Sequence, residues 1–432
     1  MISCENWKDG FMMTIEGMRI LRHSSSSPAI FLSVHQETKA KETWRGLGAP
    51  HVINEGPELT VLDFSPDCII RLFYHERVLH MRPSVSGEKA GAFRICFGAH
   101  PEEMVFGLGP STGYDLKKTK LSLSAGAEDT ALRREPTAMS SRGTWIHVDG
   151  GGEPDWNFRS TITEISCPIA PREIALGFGK TQAAAMELLT RHKAGKRERL
   201  PDWLQEWPLI GEGPGGIRQE IPGDGEKSRL IGSEEWEKIL SASSARILPC
   251  PALEPKRPSA FVSMLLSLSF SGYGHILMPD ALELGAFSPL FISNALPEGR
   301  EKSRAGRVAA SAAIYAMLKS YRDYCSVEWV EKGMPVLAHP SLLYPGETRL
   351  LELRDQYMFG PDVIIAPSQD ASLQQRRLYL PDDEWIHLWT SRHYRGGSTT
   401  IHAPEGKPAI FYRRQSAFAS LFDALRLKAT RL

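Results

Sequence analysis

Short apolar runs separated by polar clusters dominate the first 200 residues of the chain. Clusters of Ser, Pro, Gly and Asp follow the runs at about the spacing that is typical of a β-sandwich. The runs, which the pattern predicts as strands, are residues 11–20, 29–34, 59–64, 68–74, 78–81, 93–97, 144–148, 160–165 and 173–178. The N-terminal region is therefore predicted to be mostly β.

Helical spacing of apolar residues follows at 181–193, 233–241, 305–324 and 416–427. In the second of these segments Trp236, Ile239 and Leu240 recur at helical intervals, so we expect them to share one buried face. The stretch 211–232 is rich in glycine and charge and poor in apolar residues, which predicts a loop or disorder.

The last hundred residues return to short strands, predicted at 363–366, 377–380, 385–388, 398–402 and 409–412. Trp385 and Trp389 are four residues apart, so both would lie on one face of a regular strand. The pair Gly396-Gly397 predicts a turn, because glycine accepts a positive φ.

Composition narrows the possible functions. The chain has 51 basic and 51 acidic residues, and this zero net charge argues against a nucleic-acid partner. Six scattered cysteines form no CxxC pair, so neither a thiolate zinc site nor any other metal site is predicted. The N-terminus lacks the unbroken apolar run of a signal peptide, and no apolar stretch is long enough to cross a membrane. We expect a cytoplasmic protein with no membrane partner.

Other chemistry finds little support in the sequence. There is no phosphate-binding GxxxxGK[ST] loop and no GxSxG nucleophile elbow, and no cofactor is predicted. His387, His393 and His402 fall in the predicted C-terminal sheet, where a metal site is an alternative to three unrelated histidines. The basic run at 193–199 is interpreted as a solvated helix end.

Several segments, taken in order along the chain, resemble glycoside hydrolase family 31, and its sulfoquinovosidase branch most closely. They are FGLG at 106–109, YDL at 114–116, PTAMSSRG at 136–143, LPDW at 200–203, LIG at 209–211, LGAFSP at 284–289, DQYMFGPD at 355–362, IIAP at 364–367, WIH at 385–387, WT at 389–390, RGG at 395–397 and KPAIFYR at 407–413. Each motif alone is weak, but a collinear set of this size is strong.

The resemblance implies a multidomain α/β and β protein. The expected domains are a galactose-mutarotase-like β-sandwich at 1–199, a (β/α)8 barrel remnant at 200–354 and a C-terminal β-sandwich at 355–432. A full barrel takes about 250 residues, whereas 154 positions separate Pro201 from Asp355. Only 45 positions separate Gly216 from Phe261, where the middle strands of the barrel should lie. We therefore expect a large internal deletion and an incomplete barrel.

The resemblance also implies a retaining α-glycosidase, which needs one carboxylate as nucleophile and one as acid. Neither of the family's two motifs is present, so no catalytic residue is identified. Asp280 is the one candidate, although it stands one place away from the expected aspartate, where this chain has Pro279. The sugar-binding Arg and His of the family correspond to Ile292 and Asn294, so no substrate-binding residue is identified either.

We therefore expect a sulfoquinovosidase-like protein of carbohydrate metabolism that is catalytically inactive. Three alternatives stay open: an enzyme with relocated carboxylates, a pseudoenzyme that binds sugar or a partner, and an incomplete gene product. Turnover would identify the first, and measurable binding would separate the second from the third. Carbohydrate, as an α-glycoside, is the one partner predicted, and the sequence leaves the oligomeric state open.

Overall fold

A computed structural model of the chain describes residues 2–429 except 35–42, 55–57, 87–90, 110–114, 119, 123–134, 207–208, 214–215, 221–227, 232, 248–257, 279–280, 294–301, 369–373 and 405. The chain divides into two compact units, of which the first comprises Met1–Gly109 and Asp115–Leu188 and the second takes in Leu189–Leu432. β-Strands predominate over helices, as the sequence predicts. Among the described helices none has the length and apolar character that a membrane crossing requires.

The first unit is built from seventeen described strands. They are β1 (Ile2–Trp7), β2 (Gly10–Ile15), β3 (Met18–Ser24), β4 (Ile30–Val34), β5 (Thr43–Gly46), β6 (His51–Asn54), β7 (Leu59–Phe64), β8 (Cys68–His75), β9 (Val78–Val85), β10 (Phe93–Gly98), β11 (Val105–Gly107), β12 (Lys120–Ser122), β13 (Thr137–Ser140), β14 (Thr144–Asp149), β15 (Asp155–Phe158), β16 (Ile162–Cys167) and β17 (Glu173–Phe178). Their hydrogen bonds form sheets in the orders β1-β2-β3, β12-β15-β16-β10-β4-β5 and β11-β13-β14-β17-β9-β8-β7-β6.

One hydrophobic core serves the two larger sheets of this unit. Ile30 and Ile95 contribute from the six-stranded sheet, and Leu62 and Leu72 contribute from the eight-stranded sheet. Alternating side chains of each strand point to opposite faces, so one face of each sheet enters the core. The predicted strand at 11–20 is in fact the hairpin β2–β3, because Glu16 and Gly17 have φ values of +48° and +83° and reverse the chain.

The remaining elements follow from residue 182 onward. The helices are α1 (Gln182–Ala194), α2 (Asp202–Glu206), α3 (Ser233–Ala242), α4 (Pro258–Phe270), α5 (Leu282–Gly285), α6 (Lys302–Met317), α7 (Lys319–Lys332), α8 (Pro340–Leu343) and α9 (Ala419–Ala429), with a 3-10 turn at Thr348–Glu352. The strands are β18 (Leu209–Gly213), β19 (Gly216–Glu220), β20 (Ser228–Ile231), β21 (Ala245–Ile247), β22 (His275–Leu277), β23 (Ile292–Ser293), β24 (Leu337–Ala338), β25 (Tyr357–Phe359), β26 (Val363–Ala366), β27 (Gln375–His387), β28 (His393–His402) and β29 (Ala409–Arg413).

Parallel pairing is found in two places in the described part of the second unit. Strand β18 pairs in parallel with β23, and β21 pairs in parallel with β22. Strand β18 also begins an antiparallel series with β19 and β20. The prediction of a loop at 211–232 is therefore wrong in part, because pairing with neighbouring strands satisfies a backbone whose composition alone favours a loop. The incomplete barrel and the domain boundaries stay predictions.

One helix prediction in this unit agrees with the structure, and another does not. In α3, Trp236 is buried and Ile239 and Leu240 pack against the same cluster, as their spacing predicts. The segment predicted as one helix at 305–324 is two helices, α6 and α7, which meet at Leu318. The Leu318 amide is shared between the carbonyls of Ile314 and Tyr315, at 3.1 and 3.2 Å, which is typical of a helix end.

The C-terminal sheet has the order β24-β25-β26-β29-β27-β28, and its inner strand β26 is buried on both faces. Successive residues of β26 alternate between two cores: Val363 and Ile365 face the core that includes α4, α6 and α7, and Ile364 and Ala366 face the other. A strand period of two places both sets without any break in the hydrophobic run. The helices of the second unit and this sheet therefore share a core.

The two tryptophans of this sheet do not share a face. Trp385 is fully buried on the side of Ile364, whereas Trp389 lies beyond the end of β27 at His387 and packs against the opposite core. The expectation of one shared face is wrong because the regular strand stops between them. Gly396 and Gly397 lie inside β28 rather than in a turn.

Replacing Trp385 by Ala is expected to lower the free energy of unfolding by about 3–5 kcal/mol, because it empties an indole-sized space in a closed core. Trp7→Ala is the matched control, since Trp7 is 39% exposed and exposed substitutions change stability by about 0.5 kcal/mol or less. Urea midpoints measured for both variants and the wild type test this. A Trp385→Ala midpoint equal to that of the wild type would contradict the burial of this ring.

Candidate functional site

The carboxyl ends of parallel strands are where α/β barrels place their catalytic groups. In the described part of the second unit, the end of β22 is apolar: Leu277 and Met278 are fully buried. Strand β23 contributes Ile292, which is buried, followed by the buried Ser293. The described ends of β22 and β23 carry no carboxylate, whereas the parallel strand β18 contains Glu212 just before its last residue.

The candidate acid Asp280 and the predicted sugar-binding position Asn294 lie outside the described residues. Glu283, in α5, is the first described carboxylate after β22, and it is engaged by Arg307. The guanidinium donates from Nε to Glu283 Oε1 at 2.6 Å and from Nη2 to Oε2 at 3.0 Å. This bidentate contact orients Glu283 as half of an ion pair.

The turn that leads into β22 is fixed by packing. A Cβ on Gly274 would lie 2.2 Å from Cε2 of Trp329, so only glycine fits against the indole. His275, which follows, is fully buried: its Nδ1 is 2.9 Å from the Ser243 carbonyl, and its ring meets Trp329 edge-on. Burial lowers the pKa of His275 to about 4, so the ring is neutral at physiological pH.

The DQYMFGPD segment at 355–362, where the resemblance is close, makes structural contacts. Asp355 pairs with the buried guanidinium of Arg376 at 2.9 Å. The amide of Gln356 donates to the Tyr379 carbonyl at 2.5 Å and accepts from the Tyr379 amide at 3.0 Å. Both side chains fasten the segment to strand β27.

The second half of that segment is held by helix α7. The Tyr321 hydroxyl donates to the Phe359 carbonyl at 2.7 Å and accepts from the Asp362 amide at 2.9 Å. Gly360 has a φ of +57°, and a Cβ there would lie 2.2 Å from the Cys325 sulfur. Asp362 also accepts from the Ser416 hydroxyl at 2.8 Å, and burial raises the pKa of its carboxyl.

The three histidines of the C-terminal sheet do not form a metal-binding group among the described residues. His387 is buried, with Nδ1 2.8 Å from the Thr390 hydroxyl oxygen and its ring against Phe411. His393 and His402 are exposed on β28. The alternative of a metal site at these three positions therefore has no support in the geometry.

An open groove of about 640 Å³ lies on the C-terminal sheet and was not predicted from the sequence. Six of the residues that line it are Tyr344, Glu347, Tyr379, Asp382, Gly396 and Gly397, and we call it the tyrosine groove. Its members come from three separate segments, so no local motif could reveal it. The one available signal was the pair Gly396-Gly397, which sequence reasoning assigned to a turn.

Comparison with known proteins relates parts of this chain to a protein family. Residues 333–418 match the glycosyl hydrolase family 31 C-terminal domain. The chain is 36% identical over 118 residues to the sulfoquinovosidase of Escherichia coli (strain K12). It is 34% identical over 153 residues to the sulfoquinovosidase of Agrobacterium fabrum. The matches span 27% and 33% of this chain but only 17% and 23% of the two relatives.

The likeness to solved structures extends over nearly the whole chain. A GH31 family sulfoquinovosidase from E. rectale, in complex with an aza-sugar inhibitor, has a TM-score of 0.77 at 16% identity, and the alignment covers 99% of each chain. A GH31 α-xylosidase from a soil metagenome, complexed with xylose, has a TM-score of 0.62 at 12% identity and covers 97% of this chain and 100% of that one. At such identities the likeness establishes the fold alone.

The chain is thus related to the glycoside hydrolases of family 31, and the resemblance that the sequence motifs predict is confirmed. Sulfoquinovosidases are among its relatives by both sequence and structure. The internal deletion and the loss of activity stay predictions.

Two buried histidines, His275 and His339, predict a pH dependence of stability. Burial lowers the pKa of both to about 4, whereas an unfolded histidine has a pKa of about 6.5. Between these values the unfolded state binds more protons, so stability is full above about pH 6.5 and falls as the pH approaches 4, by on the order of 3 kcal/mol for each histidine.

Urea midpoints at pH 7 and pH 5 measure this loss. His275→Phe removes one of the titrating groups, which also include His387, whose pKa burial likewise lowers to about 4. This variant is expected to reduce the loss, whereas changing the exposed His402 to Phe should leave the loss unaltered. Equal losses in the wild type and in His275→Phe would show that His275 does not contribute.

Proposed function

We propose that this chain is a sulfoquinovosidase-like relative of the retaining α-glycosidases that does not turn over a glycoside. The observation that carries the proposal is the apolar, buried character of strands β22 and β23 at their ends, with Leu277, Met278 and Ile292 where a barrel enzyme places polar groups. The 34–36% identity to two sulfoquinovosidases supports the substrate class of the ancestor.

The chemistry of a retaining glycosidase explains why apolar strand ends argue against turnover. A nucleophilic carboxylate and an acid must face the glycosidic bond about 5–5.5 Å apart. Neither family motif for these groups occurs in the sequence, and Glu283 is engaged by Arg307. Asp280 alone cannot supply both functions, since one carboxylate cannot attack the anomeric carbon and protonate the opposite side of the same bond.

A non-catalytic carbohydrate-binding function is the second candidate. The observation that favours it is the tyrosine groove, whose aromatic rings and carboxylates are the groups that bind sugar hydroxyls and ring faces. The groove is separate in sequence from the strand ends discussed above, so it does not require an intact barrel.

The proposal predicts that purified protein releases no 4-nitrophenol from 4-nitrophenyl α-glucoside or 4-nitrophenyl α-sulfoquinovoside above a buffer blank. The reason is the missing pair of carboxylates. The E. coli sulfoquinovosidase, assayed in parallel on the sulfoquinovoside, serves as the positive control.

Turnover by the wild type that disappears in Asp280→Asn would contradict the proposal and would identify Asp280 as a relocated catalytic group. Glu352→Gln, which changes an exposed carboxylate elsewhere in the chain, is the matched control for that substitution. A longer transcript that encodes additional barrel strands would instead identify this chain as an incomplete version of an active enzyme.

A further inference from the structure

The tyrosine groove has a fixed carboxylate on its wall. The Tyr379 hydroxyl donates to Glu347 Oε1 at 2.5 Å, and the Asp382 amide donates to Glu347 Oε2 at 3.2 Å. Both donors are uncharged, and neither Glu347 nor Asp382 has an ion pair with any residue that the structure describes. Each carboxylate oxygen accepts more than one hydrogen bond, so Glu347 is oriented and still able to accept from a ligand.

The aromatic side chains of the groove are held in place as well. Arg349 lies over the ring of Tyr379, with Cζ 4.7 Å from the ring centroid, and donates to the Ser398 hydroxyl at 3.1 Å. The Tyr344 hydroxyl donates to Asp383 Oδ2 at 3.3 Å. Both rings are half-buried, so each has a fixed position and a part that solvent reaches. Fixed groups lose little conformational entropy when a ligand binds.

Backbone geometry creates the concavity itself. The register of β27 against β28 shifts between Leu380 and Glu384, and this bulge exposes Asp382. A Cβ on Gly396 would lie 2.6 Å from the Cα of Asp382, so glycine permits the two strands to approach at the bulge. Gly397 has a φ of +120° and open space where a side chain would project. The groove therefore follows from the two glycines and the bulge opposite them.

We propose that the tyrosine groove binds a neutral saccharide. Hydroxyl groups of a sugar would donate to Glu347 and Asp382, and the exposed parts of Tyr344 and Tyr379 would contact its apolar faces. Glu347 and Asp382 have no ion pair among the described residues, and their negative charges disfavour sulfonated or carboxylated sugars here. The volume of about 640 Å³ lies within the usual range of roughly 300–1,000 Å³ for small-ligand sites.

The inference rests on the proposed carbohydrate function for its ligand class, and it does not depend on turnover. A divalent cation is the competing occupant, since it also binds carboxylates. Calcium takes about six to eight oxygen ligands, whereas Glu347 and Asp382 are the two carboxylates that line the groove. The saccharide is therefore the better match to the groups present.

Isothermal titration of the full chain with maltose tests the proposal. The wild type is expected to bind saturably, and Glu347→Gln and Tyr379→Ala should each weaken binding by about tenfold or more, which corresponds to the loss of a charged hydrogen bond or an aromatic contact. Both groove variants are measured so that a folding defect in one of them does not decide the result. Glu352→Gln is the matched control and should bind maltose as the wild type does. Glucuronate, an anionic sugar, should bind at least about tenfold more weakly than maltose.

Three results would overturn the proposal. They are no saturable maltose binding by the wild type, unchanged binding in both groove variants, and Glu347-dependent binding of calcium chloride without binding of maltose. A fourth result, the loss of maltose binding in Asp280→Asn, would also overturn it, because the sugar would then bind elsewhere. Turnover is measured separately, so a catalytically active chain that still binds maltose through Glu347 would refute the proposed inactivity and leave this inference standing.

Discussion

The hydroxyl of Tyr321 joins helix α7 to the C-terminal sheet, and the core of the second unit is organised around that contact. It donates to the Phe359 carbonyl and accepts from the Asp362 amide, while its ring packs edge-on against Phe418 and Phe422. Burial raises the pKa of Tyr321 well above its usual value, so the hydroxyl keeps its proton. Gly360 is confined to glycine because the same helix presses Cys325 against it.

This arrangement offers a structural reason for the close family resemblance of the C-terminal region. The motif residues Asp355, Gln356 and Gly360 serve packing: one neutralises a buried arginine, one hydrogen-bonds to a strand and one makes room for a helix. Their contacts hold whether or not a glycoside is cleaved. Similarity concentrated at residues 333–418 is therefore compatible with loss of the catalytic pair, because the demands of stability and of catalysis fall on different parts of the chain.

Sequence reasoning succeeds where a local pattern fixes the outcome. Strand β7 matches its predicted bounds and contributes Leu62 and Phe64 to one core, and Trp236 is buried at its helical position. Sequence reasoning fails where residues distant in the sequence determine the local structure. Strands β19 and β20 form because they pair with one another and β19 pairs with β18. Trp389 packs on the opposite side from Trp385 because the strand ends between them. The absence of the catalytic motifs stays a prediction from the sequence, whereas the groove depends on three segments that only folding brings together.

The side chain of Gln356 connects the 355–362 segment with the tyrosine groove. Strand β27 pairs with β29 only from Trp385 to His387, so the earlier part of β27 has no strand neighbour on that side among the described residues. The Gln356 amide takes the place of a neighbour by bonding both the N–H and the C=O of Tyr379. Because Tyr379 in turn holds Glu347, the packing motif at 355–362 positions the groove. A segment that resembles the support of a glycosidase would thus orient a binding surface of its own, and that surface does not depend on a site in the barrel.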